Sequence, residues 1–433
     1  MIGRSSTAAR SRAPLAGVLL VAAWVCGPAA VMAQEDATST IPIGIVLPAP
    51  VAEGDALTAA VRDAAREGAR MAQDELAINA SVLGYQLDVR IEEAADAEEA
   101  AALAGDMYED GVLAVTGGYG LGAAEAIATV AEDHEAVFLN VGSPADRLRN
   151  DLCTPAAFHV VPSAGMYLDA LAGWFVREGF RDWFFVVQAD EEGEAQLERI
   201  RRTLRQRHFA ARDVGVARFS NEEELADAAR RAAREGPDLV LLLARTDAQL
   251  AFLAQAEEAG VEAEVTGFPW PETQTRAFYR ASSETSRGVG AGFRASAWEF
   301  TLDAYGAREL NARYEGRFGR PMDAPAWASY MALKIVVESI TFGQVDGRAG
   351  LREHLASQQA VFDIWKGIGV TFRPWNHQLR QSVFLIQIVP DADTVRDRAL
   401  LVGELPAIYM PRTDPVERLD QLGDLEGASR CRF

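Results

Sequence analysis

Lysine is almost missing from this chain: Lys334 and Lys366 are the only two among 433 residues. Arginine carries the rest of the positive charge and is outnumbered by acids, leaving a formal net charge of −21. So acidic a surface repels nucleic acid and anionic membranes, and neither is an expected partner. Histidine is scarce too. His134, His159, His208, His354 and His377 show no H-E-x-x-H spacing. There is no G-x-S-x-G nucleophile elbow and no D-x-D-x-D-G calcium loop. The chain is therefore not expected to be an enzyme, and no cofactor is expected. Beyond the N-terminus, no stretch is long and apolar enough to span a bilayer.

What is present begins with a leader. Arg4, Arg10 and Arg12 precede an apolar run, Leu15 to Val25, and Val31-Met32-Ala33 offers small residues for cleavage. Residues 1–33 read as a secretory signal peptide, with an uncleaved anchor as the rival. The preceding Ala23-Trp24-Val25 is a poor lipoprotein match for Cys26. Hydrophobic residues make up 49% and charged residues 24% of the chain, the mix of a core-forming globular protein. After cleavage two cysteines remain, Cys153 and Cys431. In an oxidising compartment such a pair favours a disulfide over two free thiols.

Strand-like and helix-like stretches alternate. Strands are expected at 41–48, 85–93, 112–118 and 136–142, with helices at 56–76, 96–109 and 122–132 between them. The alternation resumes with strands at 158–163, 183–189, 214–219, 238–244 and 264–269. Several strands are continuous apolar runs, the mark of parallel sheets covered on both faces. The fold class is α/β, as two doubly wound, Rossmann-like halves. Later helices at 302–318, 326–342 and 351–357 give way to strands at 370–374 and 381–389, and then to a polar tail.

The stretch "VTGGYGLGAAEAIA" (115–128) carries the spacing G-x-G-x-x-A at Gly118, Gly120 and Ala123. It follows the third strand, whereas a dinucleotide fingerprint belongs to the first, and Asn140 stands where a ribose-binding acid is required. Both counts argue against a dinucleotide, and none is expected. Ligands of open α/β sheets still bind beyond the carboxyl ends of strands. Gly118, Tyr119 and Gly120 in this turn, and Gly142 and Ser143 in "NVGSP", are candidate ligand-binding residues from one half. Tyr119 offers a ring and a hydroxyl. From the other half the candidates are Arg245, able to pair an anion, and Trp270 in "GFPWPE" with Glu272 beside it. Trp298 is either a wall of the site or hinge packing.

The order of elements resembles the type I periplasmic solute-binding proteins of ABC transporters, in the branched-chain amino acid-binding branch. The carrying stretches include "AVTGGYG", "VFLNVGSPADRL" and "FGRPMDAPAWASYMALKIVVESI". Within that branch the chain is similar to binding proteins associated with PQQ-dependent alcohol dehydrogenase systems. The motifs there are "DLCTPAAFHVVPSAGMYLDALA" (151–172), "TFRPWNHQLRQSVFL" (371–385) and "DQLGDLEGASRCRF" (420–433). The resemblance implies two lobes joined by three hinge crossings, near 157–158, 294–296 and 365–367. Lobe 1 is expected to hold 34–157 and 295–365, and lobe 2 158–294 and 366–402. Residues 403–433 form a tail pinned by a Cys153–Cys431 disulfide, whose cysteines fall inside two of these motifs. In amino acid-binding relatives a serine in the first turn and a threonine in the second grip the carboxylate. Here the first turn has no hydroxyl but tyrosine, and Pro144 stands in the threonine's place, so a leucine-like ligand is not expected.

Acids recur at strand ends: Glu53 and Asp55; Glu92, Glu93 and Asp96; Asp190, Glu191, Glu192 and Glu194. Hard cations want several oxygen ligands, yet acids also favour helix N-termini whatever the function. The expected function is a periplasmic monomer, without membrane insertion, that hands a small molecule to an ABC transporter permease. The alternatives are a sensing module for a membrane receptor and a binder of a lanthanide or other hard metal species.

Overall fold

The computed structural model describes residues 39–49 and 55–433. The leader at 1–33 and Glu53 lie outside the described residues. The chain runs β1 (Ser39–Pro48), α1 (Ala56–Val82), β2 (Tyr85–Ala94), α2 (Ala97–Glu109), β3 (Ala114–Gly117), α3 (Leu121–Asp133), β4 (Val137–Asn140) and β5 (Ala157–His159). It continues through α4 (Ala164–Arg177), β6 (Asp182–Gln188), α5 (Glu191–Arg207), β7 (Arg212–Phe219), α6 (Glu222–Glu235), β8 (Leu239–Leu243), α7 (Thr246–Ala259), β9 (Glu264–Gly267), α8 (Arg276–Thr285) and β10 (Phe293–Ser296). Then come α9 (Ala307–Phe318), α10 (Ala324–Thr341), α11 (Gly347–Ala356), β11 (Val383–Ile388), β12 (Ala399–Leu405) and α12 (Pro415–Leu419).

Lobe 1 is a parallel sheet in the order β2-β1-β3-β4-β5. Alternation along β1 assigns its faces. Ile41, Ile43 and Ile45 pack with residues of α1 and α10, while Val46 joins Val115 and Phe138 beneath α2 and α3. Helix α10 is buried along nearly its whole length, as an all-round apolar sequence requires. It lies so close to α1 that a Cβ on Gly68 would sit 2.0 Å from the Ala326 carbonyl oxygen. Lobe 2 is a parallel sheet in the order β7-β6-β8-β9. Trp183, Phe185 and Val187 share a core cluster with residues of α4 and α5; Phe184 and Val186 pack with residues of α6 and α7. A third, antiparallel sheet, β10-β11-β12, packs against α4.

Four expectations need correction. The strand expected at 158–163 is β5, three residues long, and it closes the first sheet by pairing with β4. Ser163 caps α4 at once, so residues 160–162 are a passage between lobes and not an opening strand of the second. The helix expected at 302–318 starts at Ala307, because Tyr305 and Gly306 take positive φ of 59° and 78°. The expected 370–374 strand makes only isolated bridges, Phe362 with Val370 and Phe372 with Leu379. Finally, β12 reaches Leu405, so the tail begins as a sheet strand.

Candidate functional site

A cleft of about 1350 Å³ opens where the strand tips of the two lobes face each other. Lobe 1 lines it with the end of β1 and the starts of α2 and α3; lobe 2 contributes the starts of α5 and α7. Gly118, Tyr119 and Gly120 line it from lobe 1, and Arg245 and Glu272 from lobe 2. Gly118 and Gly120 take φ of 82° and 92°, which glycine adopts without strain. No side chain caps α3, so its first N–H groups are free to meet an acceptor atom in the cleft. The Tyr119 hydroxyl is buried without a hydrogen-bond partner, with Ser329 beside it, and burial pushes the phenol's pKa up.

The second glycine turn is arranged otherwise. The Asn140 side-chain oxygen accepts the N–H groups of Gly142 and Ser143, at 3.2 and 2.9 Å, and its amide donates to the Ser143 carbonyl. The Ser143 hydroxyl accepts from the Ala145 N–H. The N–H groups of Gly142 and Ser143, and the Ser143 hydroxyl, are therefore spent inside the turn. Gly142, with Pro144, borders a gap of only about 10 Å³, too small for a guest. Gly142 also has a packing task, since a Cβ there would lie 2.6 Å from the Tyr119 Cα. Trp270 is 7% exposed and donates its indole N–H to the Ala244 carbonyl. Its ring forms a shelf under the Arg245 guanidinium, 5.1 Å away. Trp298 is fully buried, stacked on Trp327 and bonded to Asn311, so it packs in the core and does not wall the cleft.

The recurrent acids have structural employment. Asp55, Asp96 and Asp190 cap α1, α2 and α5 through the N–H groups of Thr58, Glu99 and Gly193. Among the described residues, no group of three or more His, Cys, Asp or Glu is placed to hold a metal ion. The cleft wall carries eleven carboxylates against five guanidiniums. Each of those arginines already meets a carboxylate: Arg147 with Glu191 and Arg245 with Glu192, for example, at 2.8 and 3.1 Å. Burial raises the pKa of Glu192, against the pull of Arg245. It raises that of Glu272 as well, and Asp55 in the other lobe adds to the effect.

A family model described as periplasmic binding protein matches residues 40–393. The chain belongs to the periplasmic binding protein family. No curated protein sequence matches it. Among solved structures it is similar to an amino acid ABC transporter substrate-binding protein from Pseudomonas fluorescens, at 17% identity. That alignment covers 92% of this chain and 100% of the other, with a TM-score of 0.71. A solute-binding protein from R. palustris in complex with benzoate aligns at 14% identity over 91% and 100%, TM-score 0.67. A branched-chain amino acid transporter substrate-binding protein from Streptococcus pneumoniae, in complex with isoleucine, aligns at 16% over 84% and 99%, TM-score 0.67.

In this periplasmic binding protein the sequence reading left three parts of the cleft unassigned. Asp146 and Arg147 enter from the loop after β4, Gln196 and Arg199 from α5, and Asp424 and Arg430 from the tail. Gln196 is 3% exposed, and neither polar atom of its carboxamide has a hydrogen-bond partner. An acidic first turn in α5 marked that helix in the sequence, but only the fold turns its second turn toward the cleft. Cys153 and Cys431 form a disulfide with Cα atoms 5.8 Å apart.

Proposed function

We propose that this chain is the substrate-binding component of an ABC importer in the periplasm, closing its two lobes around a small molecule. The observation that carries the reading is the cleft itself, roomy and walled by both lobes. Gly118, Tyr119, Gly120 and Arg245 are proposed to contact the guest, with Glu272 and Gln196. Gly142 and Trp270 support Tyr119 and Arg245 from behind, and Ser143 acts within its own turn. The permease is the proposed partner, and the chain is proposed to act as a monomer.

The guest is proposed to be a polar molecule that is not a simple anion. A benzoate-like carboxylate entering this cleft finds every arginine on the wall already facing a carboxylate, Arg202 at 3.9 Å from an Asp424 it shares with Arg199, and a surplus of carboxylates around it. The uncapped α3 N-terminus suits a carbonyl or hydroxyl, while Asp55 and Glu272 suit donor groups. A link to PQQ-dependent alcohol oxidation is proposed on the motifs at 151–172, 371–385 and 420–433.

Thermal-shift measurements on the secreted chain test the reading. The panel holds polar amines, hydroxylated metabolites, benzoate, PQQ, and calcium and lanthanide salts with and without chelator. A guest raises the melting temperature through preferential binding to the folded state. Tyr119→Ala then weakens that rise about tenfold in ligand concentration, the loss of one aromatic contact. Benzoate alone raising the midpoint would reverse the charge assignment, and a chelator-sensitive rise would reassign the cleft to a metal. If the PQQ link holds, deleting the gene slows growth on alcohols and leaves growth on other carbon sources unchanged.

A further inference from the structure

The three sequence motifs at 151–172, 371–385 and 420–433 are far apart along the chain, yet the fold brings them to one end of the cleft. The loop between β4 and β5, both strands of lobe 1, supplies Asn150, Asp151 and Cys153. Cys153 is bonded to Cys431, Asn150 donates to the Asp424 Oδ2 atom at 3.0 Å, and Asp151 pairs with Arg430 at 2.8 Å. Lobe 2 grips the same tail from α4 and α5. Arg199 pairs with the Asp424 Oδ1 atom, Gly423 donates its N–H to Asp169 at 2.9 Å, and Arg207 donates to the Gln421 carbonyl. One carboxylate thus gives an oxygen to each lobe. The middle motif is the seat beneath. Arg373 pairs with Asp420 and donates to the carbonyls of Leu419 and Leu422, Trp375 donates to the Asp424 carbonyl, and the Phe433 ring stacks on His377 at 4.1 Å.

We infer that the C-terminal tail is a strap laid across both lobes, with Asp424 as its latch, and that it limits how far the cleft opens. Hinge opening at this end separates Asn150 from Arg199, so Asp424 must release one of them. The bond given up is charge-assisted and partly desolvated. The covalent anchor at Cys431 keeps the tail on lobe 1 whichever partner Asp424 loses. Asp424, Ala428 and Arg430 also line the cleft, so the strap is a third wall of the space between the lobes. The inference rests on the two-lobed fold and needs no knowledge of the guest.

The test uses the full secreted chain without any added ligand. Asp424→Ala, the Cys153→Ser/Cys431→Ser double variant and the exposed ion-pair control Arg287→Ala are compared with the parent. Small-angle scattering reads the radius of gyration, and hydrogen exchange reads local opening. Both strap variants are expected to raise the radius of gyration. They should speed exchange at 421–424 and in the first turns of α4 and α5 on the order of tenfold. Arg287→Ala should match the parent. If the double variant fails to fold, folded parent protein treated with dithiothreitol makes the same cut, and Asp424→Ala keeps the bridge intact. An unchanged radius of gyration in Asp424→Ala and in the reduced parent overturns the strap. Faster exchange confined to the tail, at constant radius, overturns it too, because the tail then rides on one lobe only. Neither result bears on whether the cleft binds a guest.

Discussion

Gln196 buries a carboxamide whose oxygen and nitrogen have no partner among the described residues. Leaving such a group unsatisfied costs about 1–3 kcal/mol, and stability alone gives no reason to keep it. Gln196→Leu should therefore stabilise the ligand-free chain by about 1 kcal/mol while weakening capture of whichever guest the thermal-shift panel identifies. A loss of ligand-free stability in urea unfolding would count against that role. Two buried histidines contribute to the pH response. Burial holds His159 well below its usual pKa, with Arg149 adding to the effect, and its Nδ1 lies 3.1 Å from the Asn140 amide. Burial lowers His377 to about 4, between the rings of Phe158 and Phe433. Between pH 6.5 and 4 the unfolded chain takes up protons that the folded chain refuses. The histidine contribution is thus full above pH 6.5 and is lost as pH drops, about 3 kcal/mol of it from His377; carboxylates that burial raises, such as Glu192 and Glu272, act in the opposite sense. A His377→Gln variant whose unfolding free energy falls between pH 7 and pH 4.5 as steeply as the parent's would contradict this account.

Among the helices, α1 and α10 show how closely the fold is specified. Their backbones touch at Gly68, where a Cβ has no room. Gly68→Ala must push the helices apart and should destabilise lobe 1 by about 3 kcal/mol, as overpacking does; chemical denaturation checks it. Nothing in "DAAREGARMAQ" flags that glycine, since the sequence reads as one uninterrupted helix. Period and apolar runs made the strands of both parallel sheets legible, along with the helices between them. Partnership was less legible. The apolar stretch after Ala157 reads as a strand, but the pairing with β4 decides which lobe owns it. The same holds in the site. The turn at Gly118 to Gly120 and the start of α7 could be placed at strand tips by counting elements, and both reach the cleft. The closure of the 140–143 turn by Asn140 and the Ala244 bond of Trp270 are tertiary hydrogen bonds that no local pattern announces.

For the whole molecule, the Cys153–Cys431 bridge joins residues 278 apart, tying the first half of the chain to its end. A loop that long restricts the unfolded chain strongly, and the chain-entropy model sets a ceiling of about 5 kcal/mol on the stabilisation. That contribution differs in kind from the latch at Asp424, which acts within the folded state. The two separate in a urea titration. Reducing the bridge should lower the unfolding midpoint and also steepen the transition, because the freed unfolded chain exposes more surface to denaturant. Asp424→Ala should move the midpoint less and leave the slope alone, since the bridge still limits the unfolded ensemble. A reduced protein whose midpoint and slope both match the oxidised one would mean that the unfolded chain stays compact without the bridge. The disulfide would then contribute only by holding the tail in place.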